Sequence, residues 1–297
     1  MSGADDPGTV DRLLIVSTGA GSVTPDVELR LREAFPDYEL MEFDPEKDIR
    51  KLVAPEGTVV VAGGDGTVGF VLRALAGSKV SIGILSLGTF NNFARSLQLP
   101  EDLDEAIELV RKGTSRPVTL GRIDGHPFLE ASALGLFGEA IALGEALKEG
   151  AFGELAERLR FLTGARPFRY QLTGDLDGTG YARSLVFANT PTTGARLEVG
   201  DVTPEDPYLE LSLGLAERRS GLLGRLLAAV LRRKPPPDPQ VNLHFRKLNV
   251  RTDPWVPAYA DGAEVGRTPV RVEAKPGAIR VIVPADGGPP PFELPRG

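Results

Sequence analysis

The sequence holds 297 residues with a formal charge of −7; 41% of them are hydrophobic and 25% charged. At ~150 residues per domain this predicts about two globular domains, and it excludes a mostly disordered chain, a collagen-like chain and a broad nucleic-acid-binding face. The absence of cysteine and the presence of only two histidines, His126 and His244, exclude a disulfide framework, a thiol nucleophile and a Cys- or multi-His-ligated metal site.

The opening residues 1–12 are polar and acidic, without the basic and apolar regions of a secretory signal. No stretch reaches the ~18 to 20 apolar residues of a spanning helix. The expectation is a cytoplasmic protein, able to touch a membrane peripherally.

Strand and helix patterns alternate through the first third. Residues 13–16 read as a strand ending in the polar loop 17–22. Thr24-Pro25 reads as an N-cap followed by proline at the first helical position. Val27, Leu31, Ala34 and Phe35 then recur at helical spacing. Residues 40–43 predict a second strand, and the β-branched, fully apolar run 58–62 a third, of the kind buried in a parallel sheet. The next helix carries Val68, Val71, Leu72 and Leu75 and stops at Gly77. A fourth strand covers 80–87, and Leu103, Ala106, Ile107 and Val110 mark a helix closed by Gly113. This alternation predicts βαβ units and a parallel sheet.

After about residue 120 strand patterns crowd together, at 128–133, 168–172, 184–189, 209–213, 241–250, 270–274 and 279–283. Helical patterns interrupt near 137–162 and 221–233. The expectation is an N-terminal α/β domain over 1–121, a β-rich domain over 122–285 and a tail over 286–297. The proline-rich stretch 234–239 reads as a loop, because strand patterns continue on both sides of it.

Two glycine loops carry the chemical signal. Gly63-Gly64-Asp65-Gly66-Thr67 lies between a strong strand and a helix start. Glycines there allow the backbone to approach a ligand, and the helix N-terminus offers N–H groups to phosphate. Asp65 beside phosphates makes sense if it holds Mg²⁺ or accepts a hydroxyl proton; a plain strand-to-helix turn is the competing reading. The loop Gly88-Thr89-Phe90-Asn91-Asn92 repeats the strand–glycine–helix arrangement. Together with Ser17, Gly19 and Gly21 after the first strand, three loops would open at one edge of one sheet, where open α/β sheets bind ligands. No GxxxxGK[ST], GxSxG or HExxH motif occurs.

GGDGTV at 63–68 followed by LGTFNNFARSL at 87–97 resembles the diacylglycerol kinase catalytic-domain family, whose bacterial lipid-kinase members share a superfamily with NAD kinases. The second loop separates lipid kinases from NAD kinases better than GGDGT does. Ala260-Asp261-Gly262-Ala263-Glu264 resembles the family's late Asp-Gly-Glu segment. The resemblance implies an ATP-binding α/β domain (NAD kinase/diacylglycerol kinase-like), a β-sandwich-like lipid domain, and transfer of the γ-phosphate of ATP to a lipid hydroxyl in the cleft between them. On that basis ATP would contact Ser17, Gly19, Gly21, Gly63, Gly64, Asp65, Gly66, Thr67, Gly88, Thr89, Asn91 and Asn92, with Asp65 near Mg²⁺. Asp261 would be the general base; its competing reading is an Asp-Gly hairpin turn.

Several positions depart from the family pattern. Ser17-Thr18 stands for Asn-Pro, Asn92 for an aspartate, Thr119 for an aspartate, and Ala263 for the glutamate of the triplet, with Glu264 one place later as a candidate support. The missing carboxylates leave less charge for Mg²⁺, so the wider metal network of some relatives is not expected. Partners implied are a lipid at a membrane surface and no nucleic acid, with a second copy of the chain as a further candidate. Residues 218–234 form the most basic stretch, in which Arg225, Arg232, Arg233 and Lys234 flank an apolar helical face suited to an anionic lipid interface; a helix packed on the second domain is the plainer reading. Alternatives to the lipid kinase are a non-catalytic nucleotide- or lipid-binding protein on the same fold and an NAD kinase-like small-molecule kinase.

Overall fold

The computed structural model describes residues 9–18, 23–140, 166–194, 197–213 and 241–285. The chain divides into two compact units, Met1–Val118 with Gly277–Gly297, and Thr119–Pro276.

The first unit contains β1 (Val10–Val16), α1 (Pro25–Ala34), β2 (Glu39–Glu42), α2 (Ile49–Leu52), β3 (Val53–Gly63), α3 (Asp65–Ala74), β4 (Ser81–Ser86), α4 (Asn92–Ser96), α5 (Leu103–Lys112) and the start of β5 (Thr114–Ile123). Its strands run parallel in the order β2-β1-β3-β4. Leu14, Val16, Val60 and Ala62 pack with Leu31 and Phe35 at α1 and with Ala106, Ile107 and Val110 of α5. The alternate residues Leu13, Ile15, Val59 and Val61 are equally buried. They point to the opposite face, where α3 meets β3 and buries Val68, Val71 and Leu72. A sheet buried on both faces explains the unbroken apolar run at 58–62. The Thr24 hydroxyl accepts from Val27 N–H at the start of α1, with Pro25 next, as the sequence predicts.

The second unit adds β6 (His126–Phe128), β7 (Ala131–Gly135), β8 (Phe168–Gly174), β9 (Gly178–Ala182), β10 (Ser184–Ala188), β11 (Thr192–Thr193), β12 (Leu197–Glu198), β13 (Leu209–Leu213), β14 (Val241–Phe245), β15 (Lys247–Asp253), β16 (Pro257–Ala260), β17 (Ala263–Arg267) and the first part of β18 (Val270–Val283). Two antiparallel layers result. In one, β18 pairs with β15, β15 with β8 and β8 with β9. The other runs β14-β13-β10-β7-β16-β17. Phe168, Leu172, Leu248, Val250 and Val272 from the first layer share a core with Leu134, Leu185, Phe187, Leu211 and Phe245 from the second. This is the sandwich-like arrangement the resemblance implies. The second layer is covered on its far side too, where Ala133, Val186 and Ala188 meet Phe137, Leu197 and Val199.

Three features differ from the sequence expectation. The run 241–250 is two strands, parted at Arg246, whose N–H donates to Asp175. The runs 270–274 and 279–283 are one strand, β18, which passes Gly277 at φ 67°. From Gly277 the chain rejoins the first unit instead of completing the second through 285: Arg280 and Val281 pair in parallel with Ser81 and Ile82, and Gly77 N–H donates to Ala278 O at 2.6 Å. The helical pattern at 137–162 is described only through residue 140; those at 221–233 and 218–234, the proline loop 234–239 and the tail from 286 lie outside the described residues.

One carboxylate is placed deep in the second layer. Glu210 on β13 is 1% exposed, accepts from Asp201 N–H, and lies 3.4 Å from Nε2 of His244, its cross-strand partner. Burial pushes its carboxyl above the usual carboxylate range, against the lowering influence of the Asp201 N–H and His244. A raised carboxyl binds its proton more tightly in the folded state. Its stabilising contribution is therefore full below the unfolded value and is lost as pH rises through the folded value. Glu210→Gln is expected to raise the thermal midpoint at pH 8, with the gain shrinking as the pH falls toward 4; a midpoint lowered at pH 8 would contradict this.

Candidate active site

In the first unit the loops after β1, β3 and β4 come together. Ser17 N–H donates to Ala62 O at 3.0 Å, and Leu87 N–H donates to Gly63 O at 2.9 Å. A Cβ on Gly63 would stand 3.0 Å from Thr67 Cβ and 3.2 Å from Ser17 Cβ. A Cβ on Gly88 would stand 2.7 Å from Asn91 Oδ1 and 3.0 Å from Gly64 Cα. Glycine is needed at these positions because neighbouring loops occupy the space of a side chain.

Asp65 is the first residue of α3, and its Oδ2 accepts from Asn91 N–H at 3.0 Å. Asn91 is left-handed (φ 51°) and folds its side chain back on Gly88: Oδ1 accepts from Gly88 N–H and Nδ2 donates to Gly88 O, each at 3.1 Å. The carboxylate therefore ties the start of α3 to the 88–91 loop. The first bond within α3 runs from Val68 N–H to Gly64 O, and among the described residues no side chain caps the helix. Its first-turn N–H groups form the positive end of the helix dipole. Ser17, Thr67 and Asn92 are buried, whereas Thr89 is exposed on the bend of its loop. Gly19 and Gly21 lie outside the described residues, as do Arg225, Arg232, Arg233 and Lys234.

These residues fit a nucleotide with its metal. Mg²⁺ keeps several waters and commonly takes one or two protein carboxylates plus phosphate oxygens. Asp65 supplies one carboxylate at the glycine loop. Among the described residues no cluster of three or more His, Cys, Asp or Glu could hold a metal by itself, so an ion here would depend on the phosphates for much of its shell.

In the second unit Asp261 and Gly262 form the two-residue connection between β16 and β17, with Ala260 paired to Ala263. Their φ values of 45° and 84° are those of a type I′ hairpin turn. The hairpin reading and a functional role for Asp261 are thus compatible. Asp261 N–H donates to Ala131 O at 2.9 Å. Its Oδ2 accepts from Leu129 N–H at 2.8 Å, and its Oδ1 from Glu130 N–H at 2.9 Å and Ala131 N–H at 3.3 Å. These three bonds aim the carboxylate at the backbone of segment 129–131.

The other edge of segment 129–131 is held by residues that sequence reasoning missed. Asn189 N–H and Thr190 N–H donate to Glu130 O, at 2.8 and 3.2 Å. Asn189 Nδ2 donates to Leu129 O at 2.8 Å and to Thr119 O at 3.1 Å. Glu130 itself accepts from Gly194 N–H at 3.0 Å. The only local signal for this role is the polar loop 189–194 directly after the apolar strand β10. Thr119, at the position of the missing aspartate, serves a loop contact: its N–H donates to Pro204 O and its hydroxyl to Asp206 O. Glu264 is exposed on edge strand β17, opposite Tyr259 across an irregular register. Tyr259 is buried and donates its hydroxyl to Glu139. Asp65 and Asp261 belong to different units, and each is positioned within its own.

The loop packing makes two glycines respond oppositely. Gly88→Ala forces Asn91 and Gly64 apart and is expected to destabilise the chain by about 1–3 kcal/mol. Gly66→Ala meets nothing within 4 Å inside a helix, and its stability is expected to equal or exceed wild type. Chemical denaturation of the two variants checks the contrast, which equal losses would contradict.

Residues 16–123 match the family model described as the diacylglycerol kinase catalytic domain. A diacylglycerol kinase of Mycobacterium tuberculosis is 28% identical over 263 residues, 81% of this chain and 82% of that protein. An uncharacterised Synechocystis protein is 24% identical over 280 residues, 87% of this chain but 64% of its own length, so this chain spans under two thirds of that relative. A crystal structure of a diacylglycerol kinase from Bacillus anthracis strain Sterne is 20% identical, with a TM-score of 0.66 over 92% of this chain and 97% of that one. At such identity the likeness establishes the fold. Residues 16–123 are thus similar to the diacylglycerol kinase catalytic domain, and the likeness to the Mycobacterium tuberculosis relative extends over most of the chain.

Proposed function

We propose that the chain is an ATP- and Mg²⁺-dependent lipid kinase that phosphorylates a hydroxyl of diacylglycerol or a related lipid at a membrane surface. The observation that carries the reading is the uncapped start of α3 beside the interlocked glycine loops at 63–67 and 88–91. Such a site favours the phosphates of a nucleotide, which the N–H groups and the dipole stabilise without a lysine. The first unit takes the nucleotide and the second the lipid.

Phosphoryl transfer through a loose transition state asks the protein mainly for position and charge stabilisation. Asp65 would hold Mg²⁺ with the phosphates, and the ion would neutralise charge on them. The bond from Asn91 N–H keeps the Asp65 carboxylate at the mouth of the glycine loop. Asp261 would accept the hydroxyl proton of the lipid. Its three backbone bonds fix the direction of the carboxylate. Because little covalent chemistry is required of the protein, a positioned weak base suffices.

The test is transfer of labelled phosphate from ATP to mixed lipid extracts. Wild type is expected to label lipid. Asp261→Asn and Asp65→Ala are each expected to lower the rate by about 100-fold or more while retaining the fold by circular dichroism. Absence of labelled lipid from wild type, or transfer surviving both substitutions, overturns the proposal; turnover stimulated by NAD instead of lipid would redirect it to a small-molecule kinase.

A further inference from the structure

The layer formed by β8, β9, β15 and the first part of β18 buries one face in the sandwich core, and among the described residues nothing covers the other. Leu248 and Val250 point inward, and Lys247, Asn249, Arg251 and Asp253 alternate outward and are exposed. Cross-strand register continues these rows. Asn249 lies opposite Arg271 and Thr173, Arg251 opposite Gln171, and Arg169 opposite Asp253 and Tyr181.

In a chain of net charge −7 this face is cationic. Arg122, Arg169, Lys247, Arg251, Arg271 and Lys275 outnumber Asp124, Asp253 and Glu273 on it. Asp175 stands at one end and accepts from the N–H groups of Arg246 and Lys247. Glu273 is shared by Arg271 and Lys275. Arg122, Arg169, Lys247 and Arg251 have no ion-pair partner among the described residues, and Arg122 Nε is enclosed without a hydrogen-bond partner. Unpaired cations on a rigid sheet have a standing attraction for external negative charge.

Two shallow hollows open side by side on this face and share Asp124 and Arg271. One, of about 420 Å³, is lined by Arg122, Lys247, Arg271 and Lys275 together with Gly125 and the two carboxylates Asp124 and Glu273. The other, of about 490 Å³, has Arg251, Gln171, Thr173 and Asn249 on its walls. Lys247 and Arg251 stand about 13 Å apart along β15. At the edge strand Tyr181 is 74% exposed, an amphipathic ring of the kind that settles at a headgroup boundary.

We propose that this face docks on an anionic lipid bilayer, the hollows receiving phosphate headgroups and the remaining cations facing the surface potential. The proposal rests on the lipid-kinase reading for its biological sense, since an enzyme acting on a membrane lipid must reach that membrane. The occupant follows from charge complementarity: a planar array of unpaired cations matches a planar anionic surface, where each Lys or Arg strengthens binding about fivefold.

The test is flotation of the full chain with vesicles of phosphatidylcholine alone and with added phosphatidylglycerol, in the absence of ATP. Wild type is expected to float with the anionic vesicles only, and to release at 1 M salt, where the screening length is about 3 Å. Arg169→Glu/Lys247→Glu/Arg251→Glu is expected to lower the bound fraction at least about tenfold. The equal charge change at Lys51→Glu/Lys79→Glu/Arg111→Glu, on the first unit, is expected to lower it less than about twofold. Failure of wild type to float, equal loss in the two triple variants, or loss only when Arg225, Arg232, Arg233 and Lys234 are reversed would overturn the proposal. Transfer to short-chain diacylglycerol in neutral micelles is measured alongside. Wild-type rates there in the sheet variant support a docking role, whereas a variant that loses micellar transfer as well overturns it. A wild type that floats but transfers no phosphate would sink the kinase reading and leave the docking surface standing.

Discussion

Each candidate catalytic carboxylate in this protein is held by main-chain N–H groups from a different segment. Asp65 accepts from Asn91, 26 residues further on. Asp261 accepts from Leu129, Glu130 and Ala131, more than a hundred residues earlier. Such bonds fix a carboxylate in place and satisfy buried donors at the same time. They also couple the two roles, because a change that frees the carboxylate leaves backbone donors without partners. Loop and sheet geometry around both residues follows from this constraint. Gly88 is a glycine so that Asn91 can fold back on it, and Asp261 is left-handed so that its turn can aim the side chain at strand β7 and the residues before it.

The two units meet the burial requirement differently. The parallel sheet of the first is covered on both faces, so the central stretches 13–16, 59–62 and 82–85 carry no polar side chain, and polar groups collect in the loops that follow them. Among the described residues the second unit covers one layer on both sides and the other on one side only. That asymmetry explains why β7 and β10 are buried along their whole length while β8 and β15 alternate, and it leaves a sheet face whose composition is free to serve charge instead of packing.

Much of this was legible in the sequence where the signal is local. The Thr24-Pro25 helix start, the apolar strands of the parallel sheet, the glycine loops at 63–67 and 88–91, and the Asp261-Gly262 turn each depend on a few adjacent residues. What escaped depends on distant partners. Nothing near Asn189 announces that its side chain will bridge Thr119 and Leu129, and nothing near Leu129 announces Asp261. Pro276-Gly277 reads as a break, yet β18 runs through it because pairing on either side outweighs the local turn signal. The short strands β16 and β17, rich in alanine and glycine, carry no apolar period and take their conformation from neighbouring strands.

The central claim is that the Asp261 carboxylate holds the 129–131 backbone. Amide hydrogen exchange of Leu129, Glu130 and Ala131 in wild type and in Asp261→Asn tests it most directly. Asparagine tolerates the left-handed turn but replaces one acceptor oxygen with a donor. The account predicts slow exchange at all three amides in wild type. In the variant at least one should exchange much faster, while the paired amides of β16 are unchanged. Equal protection of the three amides in both proteins would contradict it.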